Sequence, residues 1–576
     1  MTTLSTLVIL FTCFLECSYV DGKVIQDCIP GESRPGSSPC EHCSCMEENG
    51  TPTWKCYLQG CPAPPCENPV VPEGECCPIC KTTPISAEHG SFMNGGQKPP
   101  VDTMSPEDWW NSGQEALTRA LNLERNTNVA KNTILFIGDG MGPTTVTAGR
   151  IYKGQLAGNT GEEYVLSWET FPHMALSKTY ATDRQGSDSA ATATAYLCGH
   201  KTANGILGVN SNGRRSDCST VPGNEVSSIL NWAEAAGKST GIVTTTRVTH
   251  ASPSALYANI VSRSWEHDTS RMPAECDVLG VEDIALQLYN KGKNISVVFG
   301  GGRQKFQGRG TEDVEIPGSF GQRNDERNLI QEWQDDMADM GRSHAFVWNE
   351  DQFNNLDPAN VDYVWGLFER SHMQYEYARE LDLGGEPSIA EMTRKAIQIL
   401  QKNANGYFLF VEGGRIDHAH HGGRANNAVN DTSALADAVQ VAIDITSDSD
   451  TLIVVTADHS HTLALGGYPS RGNPIGGKVG SASDGLRYTS MTYGNGPGYR
   501  EPRPDIEDVD TEDMSYQQQT AVPLGSETHG SEDVAIYARG PMAHLFHGVQ
   551  EQHYIPHAMA YAACIGANTA HCNSTP

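Results

Sequence analysis

The chain has 576 residues, 38% of them hydrophobic and 19% charged, which is enough for one large core and an appended unit. Its formal net charge of −30 and pI near 4.9 argue against binding to nucleic acid or to an anionic membrane, because attraction to a phosphate backbone needs a basic face. No apolar run is long enough to form a transmembrane segment.

Residues 1–21 carry the apolar stretch Leu7–Leu15 followed by small and polar residues, the length of a signal-peptide core. They are read as a signal peptide, and the chain as secreted and extracellular. Ten of the 17 cysteines then fall between Cys28 and Cys80. That density predicts a disulfide-stapled module over 22–80 in an oxidising compartment, with zinc binding the less favoured reading. The series Cys40-x2-Cys43-x-Cys45, Trp54, Cys56, Cys61, Cys66 and the closing Cys76-Cys77-x2-Cys80 resembles a von Willebrand factor type C domain. The resemblance implies an interaction module for extracellular matrix or growth-factor partners. Residues 81–104, rich in Gly, Pro and Ser, read as a linker.

The second domain is placed at 105–576. Ser105-Pro-Glu-Asp108 offers an N-cap, a first-turn proline and early acidic residues, so a helix is predicted over Pro106–Leu123. A strand follows at Thr133–Ile137. Further on, a helix at Val226–Gly237 precedes a strand at Gly241–Thr245, and a helix at Asn427–Thr446 precedes a strand at Leu452–Thr456. This alternation is the signature of crossover-connected parallel strands. The fold class is therefore α/β, a large mostly parallel central sheet flanked by helices. Residues 466–525 break the pattern and read as an inserted surface subdomain. Glu532–Arg539 is a late strand and Ile555–Cys564 a closing helix. Cys218 with Cys276 and Cys564 with Cys572 are candidate bridges, leaving Cys198 as a free core thiol. Asn49, Asn294, Asn430 and Asn573 head glycosylation sequons. No apolar tail follows to signal a lipid anchor.

Five stretches set apolar or Ala/Thr-rich runs beside metal-ligand or nucleophile chemistry: Asn132–Gly142, Gly186–Gly199, Gly241–Ser254, Tyr407–His421 and Thr451–His461. Gly-bounded runs of Val, Ile and Thr read as buried parallel strands, and ligands bind beyond the carboxyl ends of such strands. Asp188-Ser189-Ala190 opens a helical segment where free N–H groups and the helix dipole favour a phosphate. Taken alone, Ser189 reads as an N-cap. Asp139 follows a strand among glycines, Asp458 and His459 end another, and Asp417 and His421 are four residues apart on one helix face. Mixed carboxylate and imidazole ligands suit zinc with an open position.

From about residue 105 onward the chain resembles an animal-type alkaline phosphatase. The residues that carry the resemblance are Ile137-Gly-Asp-Gly-Met-Gly142, Asp188–Gly199, His250-Ala-Ser-Pro253, Val411–His421, Thr456-Ala-Asp-His-Ser-His461 and Glu527-Thr-His529. The resemblance implies hydrolysis of small phosphate monoesters through a phosphoserine on Ser189, with two zinc ions, one magnesium and a homodimer. It implies one zinc on Asp417, His421 and His529, and a second on Asp139, Asp458 and His459. It places magnesium on Asp139, Ser252 and Glu412, with His250 beside it, and Arg263 and Asp188 at the phosphate. It also implies a calcium held by Glu315, the Phe368 carbonyl, Glu369 and Glu386, with Asp382 competing for the fourth position. The alternative is an inactive scaffold that binds matrix or growth factors. The Cys-x-Pro-x-Arg motif of the related sulfatases is absent.

Overall fold

The computed structural model describes residues 104–269 and 272–573, together with the strands Ser33–Pro35, Glu41–Glu48, Thr51–Leu58, Pro69–Val70 and Ile79–Cys80. The signal-peptide and linker expectations and the cysteine pairings of the N-terminal module lie outside the described residues. The chain divides into two units, 1–94 and 95–576. In the first, Glu41–Glu48 pairs antiparallel with both Ser33–Pro35 and Thr51–Leu58, and Pro69–Val70 pairs with Ile79–Cys80.

The second unit is built on a ten-stranded sheet. Its order is His344–Val347, Tyr363–Leu367, Val297–Gly301, Ser239–Arg247, Tyr407–Gly413, Asn132–Gly138, Thr451–Ala457, Val534–Arg539, His173–Lys178 and Gly548–Glu551. The first seven run parallel. Val534–Arg539 is antiparallel to both of its neighbours, so the sheet is mostly, not wholly, parallel. Tyr407–Gly413 and Thr451–Ala457 are buried along their whole length, as expected of strands covered on both faces. Ile134 and Phe136 pack on one side with Val243, Leu409 and Val411, while Leu135 and Ile137 pack on the other with Ile242, Phe408 and Phe410.

Local signals set most helix ends. Ser105 and Asp108 form a reciprocal capping box, and that helix runs Pro106–Leu121, two residues shorter than predicted. The predicted helix Val226–Gly237 is only Ile229–Ala235. Glu225 is held extended in a bridge to Val209, and Ser228 caps the first turn, so the helix starts later. The long helix is Ala425–Ile445 and the last is Tyr554–Ala563. Residues 463–523 form a small sheet of Leu463–Leu465, Met491–Gly496 and Thr520–Pro523, with the hairpin Lys478–Ser481/Arg487–Thr489. Leu463, Ile475, Met491 and Tyr493 pack against Ala148, Ala425 and Val429 and tie this insertion to the core. Cys218–Cys276 and Cys564–Cys572 are disulfides, and Cys198 is buried and free, its thiol pushed up to about 12 by burial. Asn430 falls inside a helix with its amide donating to Tyr152, whereas Asn294 is exposed.

Candidate active site

The four central strands Ser239–Arg247, Tyr407–Gly413, Asn132–Gly138 and Thr451–Ala457 end at one edge of the sheet, and each delivers a polar residue there. Asp139 and Asp458 follow their strands directly, Glu412 is the penultimate residue of its strand, and the turn after Arg247 leads to His250 and Ser252. The segment after Tyr407–Gly413 folds into the helix Arg415–His421, which places Asp417 and His421 one turn apart. Gly140, at φ +72°, donates its N–H to Asp458 Oδ1 at 2.9 Å. A Cβ at Gly140 would stand 2.5 Å from the His461 ring, so only glycine lets this backbone pass.

The helix Ser189–Cys198 points its N-terminus into the same place. Its N-cap is Asp188, whose carboxylate accepts from Ala191 N–H, and not Ser189. Ser189 is the first helical residue, so its hydroxyl is free of capping. That hydroxyl donates to Asp139 Oδ1 at 3.4 Å and lies 3.2 Å from His459 Nε2. Asp188 also accepts from Gly205 N–H at 2.8 Å and pairs with Arg263 at 3.1 Å. Despite burial, Arg263 and these N–H groups hold the Asp188 carboxyl below its usual range. Arg263 donates through its other terminal nitrogen to His250 Nε2 at 3.2 Å. Burial, and then the Arg263 charge, push His250 down and keep it neutral.

His421 Nδ1 stands 2.6 Å from the Glu527 carbonyl, and His529 Nδ1 stands 2.7 Å from the Ser187 carbonyl. A carbonyl only accepts, so both rings carry hydrogen on Nδ1, and each neutral ring presents a lone pair at Nε2. Those two Nε2 atoms are 3.1 Å apart, and each is 3.4 Å from Asp417 Oδ1. Two ring nitrogens and a carboxylate oxygen facing one point could hold a cation. Asp139, Asp417 and His459 form a second convergent group. His459 Nε2 lies 3.1 Å from Asp458 Oδ2 and 3.7 Å from Asp139 Oδ1.

Asp139 Oδ2, Ser252 Oγ and Glu412 Oε1 are buried without a hydrogen-bond partner. Thr244 and Thr246 donate only to the other oxygen of Glu412. Burial, and then the charges of Asp458, Asp417 and Glu412, push Asp139 well above the usual carboxylate range. Burial also raises Glu412, to about 7. Asp139, Asp417, Asp458 and Glu412 are buried together, a concentration of negative charge that a bound cation would relieve.

His461 and Glu527 lie within the sequence motifs, whose spacing assigns them no role. His461 spans Asp417, 2.8 Å from Nε2, and Glu527 at Nδ1. Both partners accept, so both ring nitrogens donate. Burial alone would lower this imidazole, but the two carboxylates hold it charged up to about 10. His461 therefore orients Asp417 as a second layer. Motif spacing cannot separate a ligand from the residue that aims it.

Apart from this cluster, Glu315, Glu369 and Asp382 bring carboxylate oxygens within 4.8 Å of one another. Asp382, the competing residue, is thus in the group. Glu386 adjoins it through Gln374, which donates its backbone N–H to Glu386 at 2.8 Å and its side-chain amide to Glu369 at 2.6 Å. Phe368, directly before Glu369, is buried.

A family model described as Alkaline phosphatase matches residues 130–565. The chain belongs to the alkaline phosphatase family. It is an alkaline phosphatase, as its motifs implied, and a second model, described as a VWC2L-like domain, matches residues 22–79. The chain is 51% identical to the alkaline phosphatase of Gadus morhua over 478 residues, 81% of this chain and 99% of the relative. It is 51% identical to the alkaline phosphatase tissue-nonspecific isozyme of Homo sapiens over 482 residues, 82% and 91% of the two chains. Among solved structures, alkaline phosphatase from the Antarctic bacterium TAB5 matches with a TM-score of 0.53 at 20% identity, over 77% of this chain and 100% of that one. Thermus thermophilus alkaline phosphatase matches with a TM-score of 0.54 at 22% identity, over 77% and 93%. These two likenesses establish the alkaline phosphatase fold.

Proposed function

We propose that this alkaline phosphatase is a secreted, metal-dependent enzyme that hydrolyses phosphate monoesters through a covalent phosphoserine at Ser189. The observation that carries the reading is the pair of imidazole lone pairs on His421 and His529 converging beside buried carboxylates. Asp417, His421 and His529 would hold one zinc, with Asp139, Asp458 and His459 a second next to Ser189. Asp139, Ser252 and Glu412, whose partnerless buried oxygens fit a hard cation, would hold magnesium. When bound, such ions supply Lewis acidity that eases ionisation of the serine hydroxyl and neutralises charge on the entering and leaving oxygens.

The protein's own groups do the rest. The first turn of the Ser189–Cys198 helix aims backbone N–H groups at the phosphoryl oxygens. The Arg263 fork, steadied by Asp188 and His250, takes two non-bridging oxygens. Asp139 accepts from the Ser189 hydroxyl and orients it. The Ser189 oxygen forms its bond to phosphorus as the ester P–O bond breaks and the alcohol departs with a proton. Water then displaces the serine oxygen, releasing inorganic phosphate. These contacts address the phosphoryl group, so the alcohol is little discriminated.

The reading is tested by hydrolysis of a chromogenic phosphate monoester at alkaline pH by the parent and its Ser189→Ala variant, before and after chelation with zinc and magnesium added back. Activity that vanishes in the variant and returns in the parent with metals supports it; no activity from the folded, metal-loaded parent overturns it. The family resemblance supports a homodimer, checked by sedimentation. A matrix- or growth-factor-binding role for residues 22–80 rests on the von Willebrand factor type C resemblance alone and is part of this proposal. Deleting residues 22–100 should abolish matrix retention and spare turnover, and unchanged retention would sink that assignment.

A further inference from the structure

The segment Asp382-Leu-Gly-Gly-Glu386 runs beside Glu315 and brings Asp382 to Glu315 and Glu369. Gly384 runs so close to Glu315 that a Cβ there would stand 2.6 Å from Glu315 Oε1 and 3.2 Å from the Trp348 ring. Gly385, at φ +70°, turns the chain so that Glu386 comes beside the Glu315, Glu369 and Asp382 group, joined to Glu369 through Gln374. Glu315 Oε1, Asp382 Oδ2 and Glu386 Oε2 are all buried and lack a hydrogen-bond partner. The Glu315 side chain is 5% exposed, and the Glu386 residue 1%.

The cations nearby do not satisfy them. Arg303 contacts the other oxygen of Glu315 and is shared with Asp313 at 2.9 Å. Arg379 is engaged by Glu376 at 3.1 Å and gives Glu386 only a contact to its backbone carbonyl. Burial pushes the Glu369 carboxyl up to about 7 and the Glu386 carboxyl, also facing Glu369 and Asp382, up to about 9. Unpaired buried carboxylates are costly, and a hard divalent cation takes six to eight oxygens.

We infer that Asp382 and Glu386 do not compete for one position but both ligate, making a four-carboxylate calcium site with Glu315 and Glu369. The inference rests on the reading that a calcium sits here and deepens it. The loop Asp382–Glu386 contributes two ligands where a single acidic residue would contribute one. With the Phe368 carbonyl this gives five protein residues around the ion and a net local charge that favours a divalent or trivalent ion over a monovalent one.

The test uses the full chain, stripped of divalent ions and reloaded with zinc and magnesium. Terbium luminescence, sensitised by the neighbouring Trp348, reports occupancy, and calcium is titrated against it. Asp382→Asn and Glu386→Gln should each weaken calcium by about tenfold or more, with phosphatase turnover retained as evidence of a folded protein. If Glu386→Gln loses calcium and Asp382→Asn binds it like the parent, the four-carboxylate site is overturned. If the parent itself takes up no calcium, the underlying calcium reading fails. Should Asp382→Asn not accumulate, Asp382→Glu moves the oxygens at constant charge: a shifted calcium midpoint supports direct ligation, and an unshifted one overturns it.

Discussion

The chain gathers buried carboxylates in two places, and the two differ in what surrounds them. Around Ser189, the acids sit at the ends of four central strands and are interleaved with His421, His459 and His529. Around Glu315 there are oxygens alone, held partly by the loop from Asp382 to Glu386. Imidazole with carboxylate suits a borderline metal with an exchangeable position, whereas oxygen-only ligands suit a hard ion that is held and not exchanged. On the proposed reading the first cluster carries the chemistry and the second contributes stability.

The sharpest way to break that division is to remove the nucleophile. Ser189→Ala should lower kcat by roughly a thousandfold or more, with an unchanged melting temperature. Next in size, Asp417→Asn should lose one zinc per chain by elemental analysis and lower kcat by roughly a hundredfold. A variant that keeps its zinc would move Asp417 out of the ligand set. Arg263→Ala should raise KM by about tenfold to a hundredfold, with a smaller loss in kcat, because the lost fork binds ground and transition states alike. His461→Ala should weaken zinc binding by about tenfold, and excess zinc should restore turnover. The smallest expected effect at the active site comes from the other cluster. Glu369→Gln should lower the melting temperature by a few degrees and abolish its dependence on calcium, leaving kcat at 25 °C within about twofold. A loss of turnover there comparable to that of Ser189→Ala would erase the distinction.

Legibility followed the same boundary. Asp139, Asp458 and His459 follow runs of consecutive buried residues, and a parallel sheet collects strand ends by construction, so their convergence could be argued from the chain alone. Asp417 and His421 were legible through helical spacing. Ser189 was half legible: the helix start was evident, but which residue caps it was decided by the Asp188 carboxylate reaching Ala191 N–H. His461 was not legible as a bridging imidazolium, because that role needs Glu527, which lies 66 positions away. The helix predicted at Val226 starts later for a related reason, since the preceding Glu225 is held extended in a bridge to the distant Val209.

By itself the sequence determined the α/β alternation, the residue types at each strand end and the two disulfides of the second unit. Those features depend on residue type and local period, which the chain carries wherever it folds. Only the tertiary structure decided that two histidine lone pairs face each other, that His461 is charged, and that Asp382 joins Glu315 and Glu369. Tautomer, charge and unsatisfied oxygens are set by whichever groups packing brings within a few ångströms, and no local pattern in the chain encodes those neighbours.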